Sequence, residues 1–144
     1  MTSDREIENL LYRYAELLDL GDIEGMATLF AHADFVDPDD KVLGSGAQVV
    51  EGIYSNFIQF YPDDTPCTHH VTTNAIIEVA KDDQNATART YFTVFQATEN
   101  LPLQAIIAGR YHDQFKRIDG LWCFTRRKML PRLEGDMTHH ANQG

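Results

Sequence analysis

The chain has 144 residues, 43% hydrophobic and 24% charged, and its 22 acidic against 12 basic side chains leave a net charge of −10. One domain with a buried core is expected at that length, and the charge opposes partnership with nucleic acid or anionic lipid. No apolar run approaches the roughly 20 residues of a membrane span, and the charged N-terminus lacks a signal-peptide stretch, so a cytoplasmic protein is expected. Along the chain, Ile7, Leu10, Leu11, Tyr14, Leu17 and Leu18 recur at helical spacing. Ser3 with Glu6 predicts a capping box at the start of that helix, and Gly21 predicts its end. Asp22 caps a short second helix through Met26, Leu29 and Phe30. Phe35 and Val36 form a short strand or bend before the turn Asp37-Pro38-Asp39-Asp40. Gly44-Ser45-Gly46 reads as a turn, and a third helix runs from it through Val50, Ile53, Phe57 and Phe60.

The period then changes. Thr68–Val79, Ala86–Ala97, Gln104–Ile118 and Leu121–Leu130 are rich in β-branched and aromatic residues and are separated by turn sequences. Asp119-Gly120 is the strongest hairpin signal. Helices followed by long antiparallel strands predict an α+β domain over residues 1–136, a cone-shaped half-barrel whose curved sheet wraps three helices. Residues 137–144 are expected as a flexible tail. The open end of such a cone suits a pocket for a small molecule.

Asp19 lies beside the apolar stripe at the end of the first helix, where a carboxylate needs a partner or water. His70 shares a polar strand face with Thr68, Thr72 and Asn74, so it faces either solvent or a polar cavity. A carboxylate partner would fix its tautomer and suit it to proton transfer. Arg126-Arg127-Lys128 reads as a solvated edge, a subunit contact, or a place where one guanidinium turns inward to meet an anion. Alternation places Arg127 opposite Trp122, and one bulge would reverse that. Tyr14, Phe57 and Tyr91 are the candidate substrate-binding residues. The adjacent pairs His69-His70 and His139-His140 diverge when extended, and Cys67 and Cys123 lack zinc spacing, so no metal is expected. No phosphate loop, nucleophile elbow or dinucleotide fingerprint occurs, so no cofactor is expected.

Three stretches carry a resemblance. They are Tyr14-Ala15-Glu16-Leu17-Leu18-Asp19 with Gly21-Asp22, Thr68-His69-His70-Val71-Thr72-Thr73-Asn74, and Gly109–Phe115 with Asp119–Phe124. Their order resembles the SnoaL-like group of the nuclear transport factor 2-like superfamily, which includes scytalone dehydratase and hexachlorocyclohexane dehydrochlorinase. The resemblance implies an Asp–His base at Asp19 and His70 and a pocket arginine at Arg127. It implies a cofactor-independent lyase or isomerase acting on a small apolar or aromatic molecule. The alternative it carries is a noncatalytic ligand-binding or accessory subunit of the same fold. A homodimer joined through the sheet's outer face is expected, with His69, Val71, Ala75, Ile77 and Val79 as its apolar row.

Overall fold

The computed structural model describes residues 1–142. Helix α1 (Ser3–Asp19) buries Ile7, Leu11, Tyr14 and Leu18 along the predicted stripe. Its start is not a capping box, because Thr2 holds the N-cap position without a side-chain bond. The Ser3 hydroxyl instead donates to Asp83 Oδ1 at 2.6 Å and accepts from Arg117 Nη2 at 2.8 Å, so tertiary partners displace the local cap. Gly21 ends the helix with φ +79°, and a Cβ there would lie 2.1 Å from the Asp64 carbonyl oxygen. Helix α2 (Ile23–Thr28) starts as predicted, with the Asp22 carboxylate accepting from the Gly25 N–H at 2.8 Å.

The strand β1 (Asp34–Val36) pairs with β2 (Val42–Ser45), which takes up residues expected as a turn. Helix α3 (Ala47–Phe57) stops short of Phe60, and Ile58 is already extended. The four long strands are β3 (Thr68–Val79), β4 (Asn85–Thr98), β5 (Leu101–Ile118) and β6 (Leu121–Glu134). Asp119 and Gly120 both adopt positive φ and close the last hairpin. The sheet order is β2-β1-β6-β5-β4-β3, antiparallel throughout except for the β1–β6 pair. The helices pack on the concave face of this curved, unclosed sheet, and alternate residues of β4 from Ala86 to Gln96 point into the core between them.

Two bulges decide which side chains face that core. In β3 the register shifts between Thr73 and Ile76, with Asn74 at φ 56°. Beyond it Ile77 and Val79 pack against the core and Ile76 is exposed, so the expected outer row of His69, Val71, Ala75, Ile77 and Val79 is broken. In the β5–β6 pair the register shifts between Gln114 and Phe115, which sets Phe124 and Arg127 on the same inward face. The segment expected as a tail also folds back. Ala141 bridges to Ile58, and the Asn142 N–H donates to the Phe57 carbonyl at 2.7 Å. Positions 143 and 144 of that expected tail lie outside the described residues. No helix among the described residues is long and apolar enough to cross a membrane.

Candidate active site

The C-terminus of α1 and the first turn-free residues of β3 bring Asp19 and His70 together. Asp19 Oδ1 lies 2.6 Å from His70 Nδ1 and accepts from the Thr68 hydroxyl at 2.8 Å. Its Oδ2 accepts from the His70 backbone N–H at 2.8 Å. A carboxylate only accepts, so the Nδ1 proton sits between the two side chains and the lone pair of the neutral ring is left on Nε2. Burial pushes the Asp19 carboxyl up, but the bond and charge of His70, its backbone N–H and Thr68 outweigh burial and hold it below the ordinary 3.8. The His70 side chain is 8% exposed and the Asp19 side chain 22%.

His70 forms part of the wall of a cavity of about 320 Å3, and Asp19 stands behind it. The wall is mostly apolar, with Leu18, Ile53, Phe92, Val94, Ile107 and Met129 among its members. Tyr14, Tyr54 and Tyr111 belong to the same wall. The Tyr14 and Tyr54 hydroxyls are 2.6 Å apart. One proton bridges that pair, and Tyr111 stands beside it as a further hydrogen-bonding neighbour of Tyr14. Burial raises all three tyrosines, Tyr54 and Tyr111 well above 10, with Arg127 opposing the shift. They therefore act at neutral pH as hydrogen-bond donors rather than as bases.

Arg127 departs from the expected geometry. Its side chain is fully buried but is not among the residues lining the cavity. It grips Asp113, its register partner on β5, through Nε at 2.8 Å and Nη2 at 2.9 Å. Its guanidinium carbon lies 3.7 Å from the centre of the Tyr111 ring and 4.3 Å from that of Tyr14. Burial pushes Asp113 up, and Arg127 offsets this in part. A cation thus stands one side chain behind the cavity, against the rings of two residues that line it.

Among the other expected residues, Phe57 lines the cavity, while Tyr91 does not. Tyr91 is 48% exposed on the outer face of β4, beneath the Arg110 guanidinium. Sequence reasoning did not place Tyr54, Tyr111, Asp113 or His140 in the site, and it weighed His140 only as half of an adjacent pair unsuited to a metal. Tyr54 sits four residues after buried Val50 on α3, and Tyr111 and Asp113 fall in phase with buried Gly109 and Phe115 on β5, so burial periodicity carried a signal for these three. His140 had no local signal, because its position depends on the returning C-terminal segment. Among the described residues, no group of three or more His, Cys, Asp or Glu side chains is placed to hold a metal ion.

The profile of the SnoaL-like domain matches residues 1–128. No curated protein gives a significant match. A protein of unknown function with a cystatin-like fold from Nostoc punctiforme superposes with a TM-score of 0.71 and 23% identity, over 90% of each chain. A protein from Novosphingobium aromaticivorans with a provisional assignment as scytalone dehydratase gives 0.71 and 22%, over 92% of this chain and 85% of its own. ActVI-ORFA from Streptomyces coelicolor gives 0.68 and 17%, over 88% of this chain and 95% of its own. At these identities the likenesses bear on fold, and the chemistry has to be argued from the cavity.

Proposed function

This chain belongs to the SnoaL-like domain family, and from that premise we propose that it is a cofactor-free lyase or isomerase working by proton abstraction on a small aromatic or largely apolar molecule. The observation that carries this reading is the 2.6 Å Asp19–His70 contact behind the wall of a mostly apolar cavity. His70 Nε2 takes a proton from a carbon next to a carbonyl group. Asp19 keeps its charge, holds the ring and compensates the imidazolium. The C–H electron pair moves toward the substrate oxygen, where the Tyr14–Tyr54 hydroxyls receive the developing negative charge. Arg127 acts through those rings as a positioning and electrostatic residue rather than by touching substrate. Return of the proton to a different carbon gives isomerisation. Loss of a neighbouring hydroxyl, which leaves with that proton as water, gives dehydration.

Exchange of the C1 protons of 2-tetralone for deuterium in D2O tests the proton step without requiring the natural substrate. Wild-type protein should accelerate the exchange. His70→Ala should slow the protein-dependent rate by roughly 10²-fold or more, the scale of a lost general base. Equal rates for the two proteins contradict the assignment, and binding of 2-tetralone without acceleration favours the noncatalytic reading. Homodimerisation through the sheet's outer face belongs to the same proposal. Exposed Ile76 and Tyr91 support it, as does the pairing of Arg126 and Lys128 with Asp40, which lowers the net charge of that surface.

A further inference from the structure

Five buried side-chain polar atoms lack a hydrogen-bond partner among the described residues: Thr90 Oγ1, Gln96 Oε1, Trp122 Nε1, Arg127 Nη1 and His140 Nδ1. Of these residues, His140 is the one that lines the cavity. The backbone that carries it is held on both sides. Gln59 donates from its N–H to the His140 carbonyl at 2.9 Å and from Nε2 to the Thr138 and Ala141 carbonyls at 2.8 and 2.7 Å. The His139 carbonyl accepts from Gln96 and from the Tyr61 hydroxyl. Phe57 then meets the His140 ring edge to face at 6.2 Å. A ring on a backbone held this firmly, packed on Phe57 beside a cavity and with its Nδ1 unpartnered, has the form of a recognition element waiting for a ligand.

We propose that His140 is a specificity-determining residue of the cavity, whose ring hydrogen-bonds a hydroxyl substituent on a fused-ring aromatic ligand. The proposal rests on the reading of the cavity as a substrate site and adds a second polar contact to the one at His70. A neutral imidazole carries one N–H and one bare nitrogen. A hydroxyl both donates and accepts, so it satisfies whichever nitrogen it meets. Burial, with the nearby His70 charge, pushes His140 down to about 4 against the pull of Asp19, so the ring is neutral at working pH and does not compete with His70 for the proton. The apolar walls, including Phe92, Val94 and Ile107, suit the ring system between the two polar ends.

Binding of 2-naphthol and 2-methylnaphthalene, which differ by a hydroxyl in place of a methyl, tests the proposal by fluorescence titration. Wild-type protein should bind 2-naphthol more tightly. His140→Phe should keep its affinity for 2-methylnaphthalene and lose about tenfold for 2-naphthol, while His140→Gln, which retains a donor and an acceptor, should keep most of the preference. Nitrogen-15 spectra of wild-type protein give a readout that needs no variant: the His140 ring signals should move with 2-naphthol and stay in place with 2-methylnaphthalene. An unchanged preference in His140→Phe, unmoved ring signals, or failure of both probes to bind overturns the proposal. None of these outcomes touches the His70 base, which the 2-tetralone exchange reads separately.

Discussion

His140 also gives the protein a pH dependence that can be measured without any ligand. Its folded-state value of about 4 lies below the ordinary 6.5, so between these values the unfolded chain binds a proton that the folded chain refuses. Stability therefore falls as pH drops from 6.5 toward 4, by up to about 3 kcal/mol from this one group. Asp19 behaves differently, because its lowered pKa means that its contribution is present above 3.8 and is lost only as pH falls through the folded value. Urea unfolding at pH 6.5, 5.5 and 4.5 should show a steep decline for wild-type protein and a shallower one for His140→Gln. Equal slopes for the two would show that the ring is not held neutral by burial. At this scale the sequence marked Asp19 and His70, since one closes a helix beside its apolar stripe and the other sits on a polar strand face. It could not mark His140, whose burial depends on contacts with Gln59, Tyr61 and Gln96, all more than forty positions away.

Pairing between β5 and β6 sets the chemistry behind the cavity. Asp113 and Arg127 are directly opposed in register, and both side chains are fully buried. Removing one partner leaves an uncompensated charge in the core. Asp113→Ala should therefore cost about 3–5 kcal/mol in chemical unfolding, the range for a broken buried pair. The double replacement Asp113→Leu with Arg127→Met should recover most of that loss, because it removes both desolvation costs together. A double variant as unstable as Asp113→Ala would mean that the pair is needed for its geometry rather than its charge balance. Strand and helix positions were legible here from periodicity, and the β6 hairpin from Asp119-Gly120. The inward turn of Arg127 was not, because strict alternation from Trp122 fails where a bulge adds a residue near Thr125. The same limit applied to β3, where the bulge around Asn74 returned Ile77 and Val79 to the core.

In the whole molecule the helices and the curved, unclosed sheet leave between them a mostly apolar cavity of about 320 Å3. That architecture followed from the order of periods along the chain, helical to about Phe57 and strand-like after Thr68. The part that could not be read is the return of the C-terminal segment, where residues 137–142 pack against the end of α3. Their polar, Gly-flanked sequence has no period of its own, and they are ordered by backbone bonds to residues far away in the chain. The proposed dimer belongs to this scale as well. Light scattering across micromolar concentrations should give twice the chain mass, and a monomer throughout contradicts an outer-face interface.

The central claim is that Asp19 and His70 act as one unit, which a double-mutant cycle on 2-tetralone exchange tests most directly. Asp19→Asn preserves the shape of the site and removes the charge, while His70→Ala removes the proton acceptor. If they serve the same step, the double variant should lose far less than the product of the two single losses and should lie close to His70→Ala alone. Losses that multiply, or single variants that exchange at the wild-type rate with folding intact, would contradict the account.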